Sequence, residues 1–298
     1  MNETRNRLND IVRTIEGADI LDVPARALAP VVERLTTDDA VKSALSGTWL
    51  GHRLHPLLTD VVIGSWVSAT VVDLVAWHSG ERAARRLVAT GIAAAVPTIA
   101  TGLSDWDDTS GPDRRVGIAH LLANSAGVSL QMASWVARVR RHHIRGALLS
   151  AAALAAVGAG GYLGGHLVFA RRVGVDHEVP AVLADDGWQA ACRIDELVDG
   201  EAITATVAGN RVAVVRSRGQ IYALAAVCSH AGGPLDRGTV TDDTLVCPWH
   251  GSAFCLTDGS VERGPATSPQ PAYETRTRGE LVEVRATADA RPLVRAVV

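Results

Sequence analysis

Four apolar stretches, Leu57–Trp77, Leu87–Ser104, Val116–Ala137 and Gly146–Phe169, crowd into one region of this 298-residue chain. Each runs about 18 to 24 residues, the length needed to cross roughly 30 Å of hydrocarbon at about 1.5 Å of helix rise per residue. Arg clusters or Asp/Gly/Pro turns separate them, as short loops between spans require. A soluble bundle of buried helices is the alternative, and four such segments in succession argue against it. The last 120 or so residues read instead as a soluble β domain, so the mean hydropathy of +0.14 averages two different solvents.

The expected organisation is multidomain: residues 1–50 as an N-terminal amphipathic helical segment, 51–178 as a four-helix α transmembrane bundle, and 179–298 as an all-β domain. The N-terminal segment carries Leu8, Ile11, Val12 and Ile15 at helical spacing, which suits helices lying on the domain or the membrane surface. Its first 45 residues are polar and charged, unlike a cleavable signal peptide. A net charge of −3 and a pI near 6.4 give no electrostatic case for nucleic acid. Four cysteines are too few for a disulfide scaffold; Cys192 and Cys255 read as buried small apolar residues.

Polar groups are costly inside apolar spans and therefore informative. His52, His55 and Asp60 open the first span, Asp105 follows the second, His120 lies near the start of the third and His166 near the end of the fourth. Because helices alternate in direction, all of these fall on one membrane face, the one from which the C-terminal domain emerges. His120 follows Arg115 and His166 precedes Arg171 by equal intervals, so both are expected at matching depth. Opposed histidines on facing helices suit axial ligation, so His55, His120 and His166 are a candidate haem b, quinone or metal site. The alternative is interfacial histidines bonded between helices. Asp73, Trp77 and His78 read as structural and interface residues.

The fourth stretch contains Gly158-Ala-Gly160-Gly161-Tyr-Leu-Gly164-Gly165. A dinucleotide fingerprint would need a preceding strand; here the glycines form two small-xxx-small pairs that let helices pack closely. Pro97 predicts a kink in the second helix. The loops Ser79–Arg86 and Arg138–Arg145 are Arg-rich, which by the positive-inside rule places them in the cytoplasm and the C-terminal domain on the outer face of the cell membrane. Arg140-Arg141 before an Ala-rich helix faintly resembles a twin-arginine export signal, while Arg53, Arg171 and Arg172 pull the other way.

In the C-terminal part, alternating runs at Arg211–Val215 and Ile221–Val227 flank Ser-Arg-Gly, a hairpin signal. Then come Cys228-Ser-His230 and Cys247-Pro-Trp-His250. Each motif offers one thiolate and one imidazole, so two loops can clamp a metal centre between them. A Cys₂His₂ zinc site is the alternative, although zinc motifs more usually pair Cys with Cys and His with His. Gly232-Gly233-Pro234 and Gly251 allow close backbone approach to the sulfurs.

The surroundings, His230-Ala-Gly-Gly-Pro-Leu, His250-Gly-Ser-Ala-Phe and Gly264-Pro265-Ala-Thr-Ser-Pro-Gln-Pro, closely resemble the Rieske family over residues 183–286. That resemblance implies a [2Fe–2S] cluster with Cys228 and Cys247 on one iron and His230 and His250 on the other, closed over by a proline loop containing Pro265, and one-electron transfer as its function. Imidazole ligation removes negative charge and raises the potential relative to all-Cys clusters. Two departures from the quinol-oxidising branch stand out. Gly233 and Trp249 occupy the positions of its bridging cysteines. Ser252 matches a Ser that bonds the cluster sulfurs, but Phe254 replaces the corresponding Tyr, which implies a lower, ferredoxin-like potential. Trp249 reads as a shield over the cluster loop.

Trp49-Leu-Gly-His-Arg-Leu-His55-Pro-Leu-Leu-Thr-Asp60 and Gly161-Tyr-Leu-Gly-Gly-His166-Leu-Val-Phe resemble a bacterial four-helix membrane domain family of unknown function, sometimes fused to a Rieske domain. This implies an integral-membrane, multi-pass protein and transfers no activity. The expected function is a membrane-anchored electron carrier with an unidentified redox partner protein. The alternatives are a component of a quinol oxidoreductase or oxygenase system, or a membrane redox sensor. The chain holds no flavin or nicotinamide motif, and whether it is itself an enzyme stays open.

Overall fold

The computed structural model describes residues 2–76, 79–177 and 187–286; Trp77 and His78 lie outside them. The chain divides into two units, Met1–Thr37 with Leu54–Val173, and Asp38–Arg53 with Gly174–Val298. The expected N-terminal segment is thus split: its last part belongs with the β-rich unit, because its polar side chains find their partners there.

The first unit is helical. Helix α1 (Asn2–Glu16) and α2 (Asp22–Thr36) precede four long helices, α4 (Leu54–Val75), α5 (Glu81–Asp107), α6 (Gly111–Val139) and α7 (His143–Gly165), the last extended by a π-helical turn at His166–Ala170. Three of them, α4, α5 and α7 with its extension, are long and apolar enough to cross a membrane. Helix α6 has the length, but polar side chains break its apolar run. Gln131, Ser134 and Arg138 are all buried inside the unit, so much of the polarity of α6 faces protein. Pro97 sits within a continuous α5. Helix α4 lies along α5 and α6 along α7, while α5 meets α6 and α4 meets α7; α4 and α6 therefore stand at opposite corners.

The N-terminal helices are packed, not free. Val12 of α1 is buried with Val116 and Leu163, and Ala25 and Val32 of α2 are buried with Trp106 and Ile118. Leu8 and Ile11, expected on the same apolar face, are exposed. Arg115 donates to both carboxylate oxygens of Asp22 at 2.8 Å and to the Glu16 carbonyl at 3.0 Å, fixing both helices to the start of α6.

One interaction dominates the interior of this unit. Arg138 of α6 makes a two-pronged bond to Asp73 of α4, its Nη1 lying 2.8 Å from Oδ1, while Nε bonds Ser134 Oγ at 3.2 Å. The Arg138 side chain is 1% exposed. Ser134 Oγ passes the chain on to the Gly146 carbonyl at 2.7 Å, so α4, α6 and α7 share one network.

The second unit is β-rich, and both of its described sheets are antiparallel. A six-stranded sheet runs β1 (Gln189–Arg193), β10 (Leu281–Ala286), β9 (Ala272–Arg278), β4 (Gln220–Ala225), β3 (Asn210–Ser217), β2 (Ala202–Val207), and a four-stranded sheet runs β5 (Thr239–Thr241), β6 (Thr244–Val246), β7 (Ala253–Cys255), β8 (Val261–Arg263). The predicted hairpin is present. Ser217 pairs with Gln220 around Arg218 (φ 53°) and Gly219 (φ +77°), the positive-φ pair that matches strand twist. Strands β4 and β9 are neighbours, yet the whole small sheet is inserted between them in sequence. Helix α3 (Asp39–Ser46), capped by the Asp38 carboxylate, also belongs to this unit. Cys192 and Cys255 are half-buried rather than buried. Burial, with Glu196 adding to it, pushes the Cys192 thiol up to about 11, which keeps it protonated and unreactive.

Asp73→Ala should destabilise the protein by about 3–5 kcal/mol in detergent, because it leaves the Arg138 charge buried without its partner. The pair Asp73→Leu with Arg138→Met should recover most of that loss. Thermal unfolding compared across the three proteins checks this; an unchanged Asp73→Ala protein would contradict it.

Candidate metal centre

Two loops with the same backbone hydrogen bonds carry the four donors. In the first, the Cys228 N–H donates to the Gly233 carbonyl at 2.8 Å, and the Cys228 carbonyl accepts from the Gly232 N–H at 2.9 Å. In the second, the Cys247 N–H donates to the Ser252 carbonyl at 2.8 Å, and the Cys247 carbonyl accepts from the Gly251 N–H at 3.1 Å. In both, the turn closes on a glycine four residues after the cysteine with φ near +75°, Gly232 (+75°) and Gly251 (+74°), which an L side chain adopts only with strain. The histidine sits two residues after Cys228 and three after Cys247, inside each turn.

The turns aim amide protons at the sulfurs. The His230 and Ala231 N–H groups serve Cys228, and those of Trp249 and His250 serve Cys247. The thiols also meet each other. A hydrogen bond from Cys228, helped by those two amides against burial, holds Cys247 down at about 6. That bond to Cys247, together with burial, raises Cys228. Buried thiolates facing backbone N–H groups are what an anionic metal–sulfur centre needs.

The imidazoles form a second pair. The His230 and His250 rings lie 4.9 Å apart and nearly perpendicular, at 89°. Two imidazoles on one tetrahedral metal, each bonded at about 2.0 Å, put their ring centres about 5 Å apart. Among the described residues no group of three or more His, Cys, Asp or Glu converges on a single point. The donors instead present themselves as a thiol pair and an imidazole pair. This is the donor set of two irons, one with two thiolates and one with two imidazoles.

Packing around the donors is tight. A Cβ on Gly233 would come 2.8 Å from Cys247 Sγ and 3.2 Å from the Trp249 ring. Trp249 therefore packs over the first loop while remaining 57% exposed. Ser252 is fully buried, and its Oγ accepts the Ala266 N–H at 3.0 Å, leaving its own proton to donate. Phe254 is fully buried and offers no donor.

Several residues that hold this site gave no sequence signal. Gln270 is 1% exposed; its Nε2 donates to the Ala225 and Val227 carbonyls at 2.8 and 2.6 Å, and its Oε1 accepts the Ser229 N–H at 3.1 Å. Ser229 Oγ donates to the Ser268 carbonyl at 2.9 Å. These bonds staple the loop that contains the cis Gly264–Pro265 bond to the first cysteine loop. From the other side, Ser43 Oγ accepts the Gly264 N–H at 2.9 Å, and Thr48 Oγ1 donates to the Ala266 carbonyl at 3.0 Å. Arg263 bonds both the Asp39 carboxylate at 3.0 Å and the Gly251 carbonyl at 2.9 Å. Residues from before the first apolar helix thus clamp the proline loop. Only their long-range placement reveals it.

Of the membrane histidines, the structure brings His55 and His120 together, with ring centres 6.4 Å apart. It turns His166 to Glu16, with Nε2 at 3.2 Å from Oε1. Asp60 is exposed on α4, and His52 Nδ1 bonds the Arg53 carbonyl.

Comparison with known proteins agrees with this geometry. The Rieske [2Fe-2S] domain family matches residues 187–274, and the family described as predicted membrane protein (DUF2231) matches residues 51–177. The 3-phenylpropionate/cinnamic acid dioxygenase ferredoxin subunit of Escherichia coli (strain K12) is 32% identical over 90 residues, 30% of this chain and 84% of that protein. Apoptosis-inducing factor 3 of Homo sapiens is 28% identical over 130 residues, 44% of this chain; the chain spans about a fifth of that relative's length (21%). Among solved structures, the ferredoxin of carbazole 1,9a-dioxygenase from Nocardioides aromaticivorans IC177 is 28% identical, with a TM-score of 0.32, covering 34% of this chain and 98% of its own. A β fold that clamps paired thiols and paired imidazoles between two loops defines an iron–sulfur electron carrier. The chain belongs to the Rieske [2Fe–2S] family, joined here to a predicted membrane-protein domain. The donor set fits the [2Fe–2S] cluster that this family implies.

Gly233→Ala should strip the cluster, because the added methyl has no room beside Cys247 Sγ. Iron and acid-labile sulfide per chain should fall by about tenfold while the fold persists by circular dichroism. Full occupancy in the variant would contradict the packing described.

Proposed function

We propose that this protein is a membrane-anchored Rieske electron carrier of low-potential, ferredoxin-like type, with Cys228, His230, Cys247 and His250 as cluster ligands. The observation that carries this reading is the doubled Cys–His loop, with its thiol pair and its imidazole pair. When bound, the cluster supplies one-electron redox chemistry. The chain's own part is to place four donors, supply backbone N–H groups to the sulfurs, exclude water with the stapled proline loop, and leave the Trp249 edge open.

Support for the lower potential comes from Phe254 and from the four free cysteines, which leave the loops without a bridge. Ser252 is the remaining hydroxyl donor. A hydrogen bond to the more negative, reduced cluster stabilises it and so raises the potential; its loss lowers the potential.

Four helices, α4 to α7, cross the cell membrane in this reading, with α6 covering its polar side chains against its neighbours. The Arg-rich turns at 79–86 and 139–145, with Arg138 itself buried against Asp73, lie in the cytoplasm and the Rieske domain on the outer face. The electron partner is a redox protein that reaches the cluster edge at Trp249 and His250, or a second redox group held by the membrane histidines, a haem or a quinone. Similarity to a dioxygenase ferredoxin subunit over most of that protein's length favours one second reading, delivery of electrons to an oxygenase.

Potentiometric titration of the purified chain, followed by the paramagnetic signal of the reduced cluster, should give a single one-electron wave in the lower part of the Rieske range. Phe254→Tyr should raise the midpoint by on the order of 65–130 mV, the value of one charge-assisted hydrogen bond, and Ser252→Ala should lower it. A high wild-type midpoint, or shifts of opposite sign, would overturn the ferredoxin-like assignment.

A further inference from the structure

The helical unit is built twice. Asp73 and Arg138, which pair with each other, are 65 residues apart, and the same interval separates His55 from His120, whose rings face each other. Trp66 and Gln131 share it too. Trp66 Nε1 donates to the Val88 carbonyl on α5 at 3.3 Å, and Gln131 Oε1 accepts from Ser150 Oγ on α7 at 3.1 Å. The second helix of each hairpin repeats in the same way. His55 Nδ1 meets the Thr98 carbonyl at 2.9 Å and packs over Gly102, where a Cβ would come 2.7 Å from the ring. His120 Nδ1 meets the Gly160 carbonyl at 2.7 Å and packs over Gly164, where a Cβ would come 3.0 Å from the ring. Each glycine lies one helical turn after its carbonyl residue. Hairpin α4–α5 and hairpin α6–α7 are therefore related by a pseudo-twofold, with the histidine pair and the Asp–Arg pair on its axis.

This arrangement fixes the chemistry of both rings. A carbonyl oxygen only accepts, so each Nδ1 carries the proton and each neutral ring presents Nε2 as a lone pair. Asn124 Nδ2 donates to the His120 carbonyl at 3.0 Å and lies over the His120 ring, 3.4 Å from Nδ1 and 3.2 Å from Nε2. A quinone carbonyl needs a donor, which a ring protonated at Nδ1 does not present at Nε2. A metal needs the lone pair, and second-site bonds from Nδ1–H to a carbonyl are what orient metal-ligating histidines.

The ring separation then selects the type of centre. Two imidazoles trans on one metal, with bonds of about 2.0 Å, have centres about 6.3 Å apart, against about 5 Å for a tetrahedral pair. His55 and His120 stand at 6.4 Å, and His230 and His250 at 4.9 Å. Two protein donors complete a centre that brings its own four equatorial nitrogens. We propose that His55 and His120 are the two axial ligands of a haem on the pseudo-twofold axis between opposite corners of the bundle. His166, committed to Glu16, is not a ligand. This deepens the electron-carrier reading and rests on it, by giving the chain a second one-electron centre.

The full chain, produced with added haem precursor and purified in detergent, is examined by reduced-minus-oxidised absorption and pyridine haemochrome assay. One six-coordinate, low-spin haem per chain is expected. His55→Ala and His120→Ala should each cut haem content by about tenfold or more, and His166→Ala should leave it unchanged. If the alanine proteins do not fold, His120→Met should keep the haem with a shifted band and a raised haem potential. A chain without haem, a haem indifferent to both ligand substitutions, or a bare metal or quinone retained in its place would overturn the proposal. The paramagnetic signal of the reduced cluster is read on the same samples. Its absence beside an intact haem would sink the electron-carrier reading through the cluster and leave this site standing.

Discussion

Two thiolates cannot be carried into a protein interior unless something answers their charge, and the β-rich unit is arranged around that requirement. Backbone N–H groups do it twice over, from two turns with the same hydrogen bonds and the same left-handed glycine four residues after each cysteine. Once the sulfurs are held this way, the histidines project from inside the same turns. The small sheet keeps the turns in register, since β6 and β7 flank the second loop directly. The six-stranded sheet contributes stability at a distance: its neighbouring strands β4 and β9 fasten both ends of the insertion that carries the site. Gln270 links the strand end, the first loop and the proline loop in one buried side chain.

The helical unit solves a related problem differently. Its polar side chains are turned inward, Arg138 to Asp73 across the pseudo-twofold and Gln131 Oε1 to the Ser150 hydroxyl within the second hairpin. That is why α6 reads as too polar for a membrane span by composition while the other three long helices do not. Small residues at the crossing points, Gly91 under Trp66 and Gly127 under Val157, bring the helices close enough for these bonds.

Sequence alone exposed the chemistry that is local. Cys228–His230 and Cys247–His250 lie within single turns, so their spacing carries the geometry, and the hairpin at Arg218–Gly219 was legible for the same reason. It did not expose what depends on distant pairing. Ser43, Thr48 and Asp39 look like ordinary polar residues in an amphipathic segment, and only their bonds to residues 263–266 make them part of the site. Depth counting grouped His120 with His166, because it fixes height along a helix and not rotation about it; one residue turns a helix by about 100°. Rotation sends His166 to Glu16 and leaves His55 opposite His120. The duplication is masked in the sequence because, apart from His55 with His120 and Gly102 with Gly164, the paired positions hold unlike residues, Asp with Arg and Trp with Gln, which share a place in the fold and no chemistry.

The central claim is that one iron is bound by two sulfurs of cysteine and the other by two imidazoles. Electron–nuclear double resonance on the reduced chain in native membranes tests it most directly. The account predicts a rhombic signal with couplings from two nitrogen ligands, one of them lost in His230→Cys. A signal without nitrogen coupling, as in an all-cysteine cluster, would contradict it.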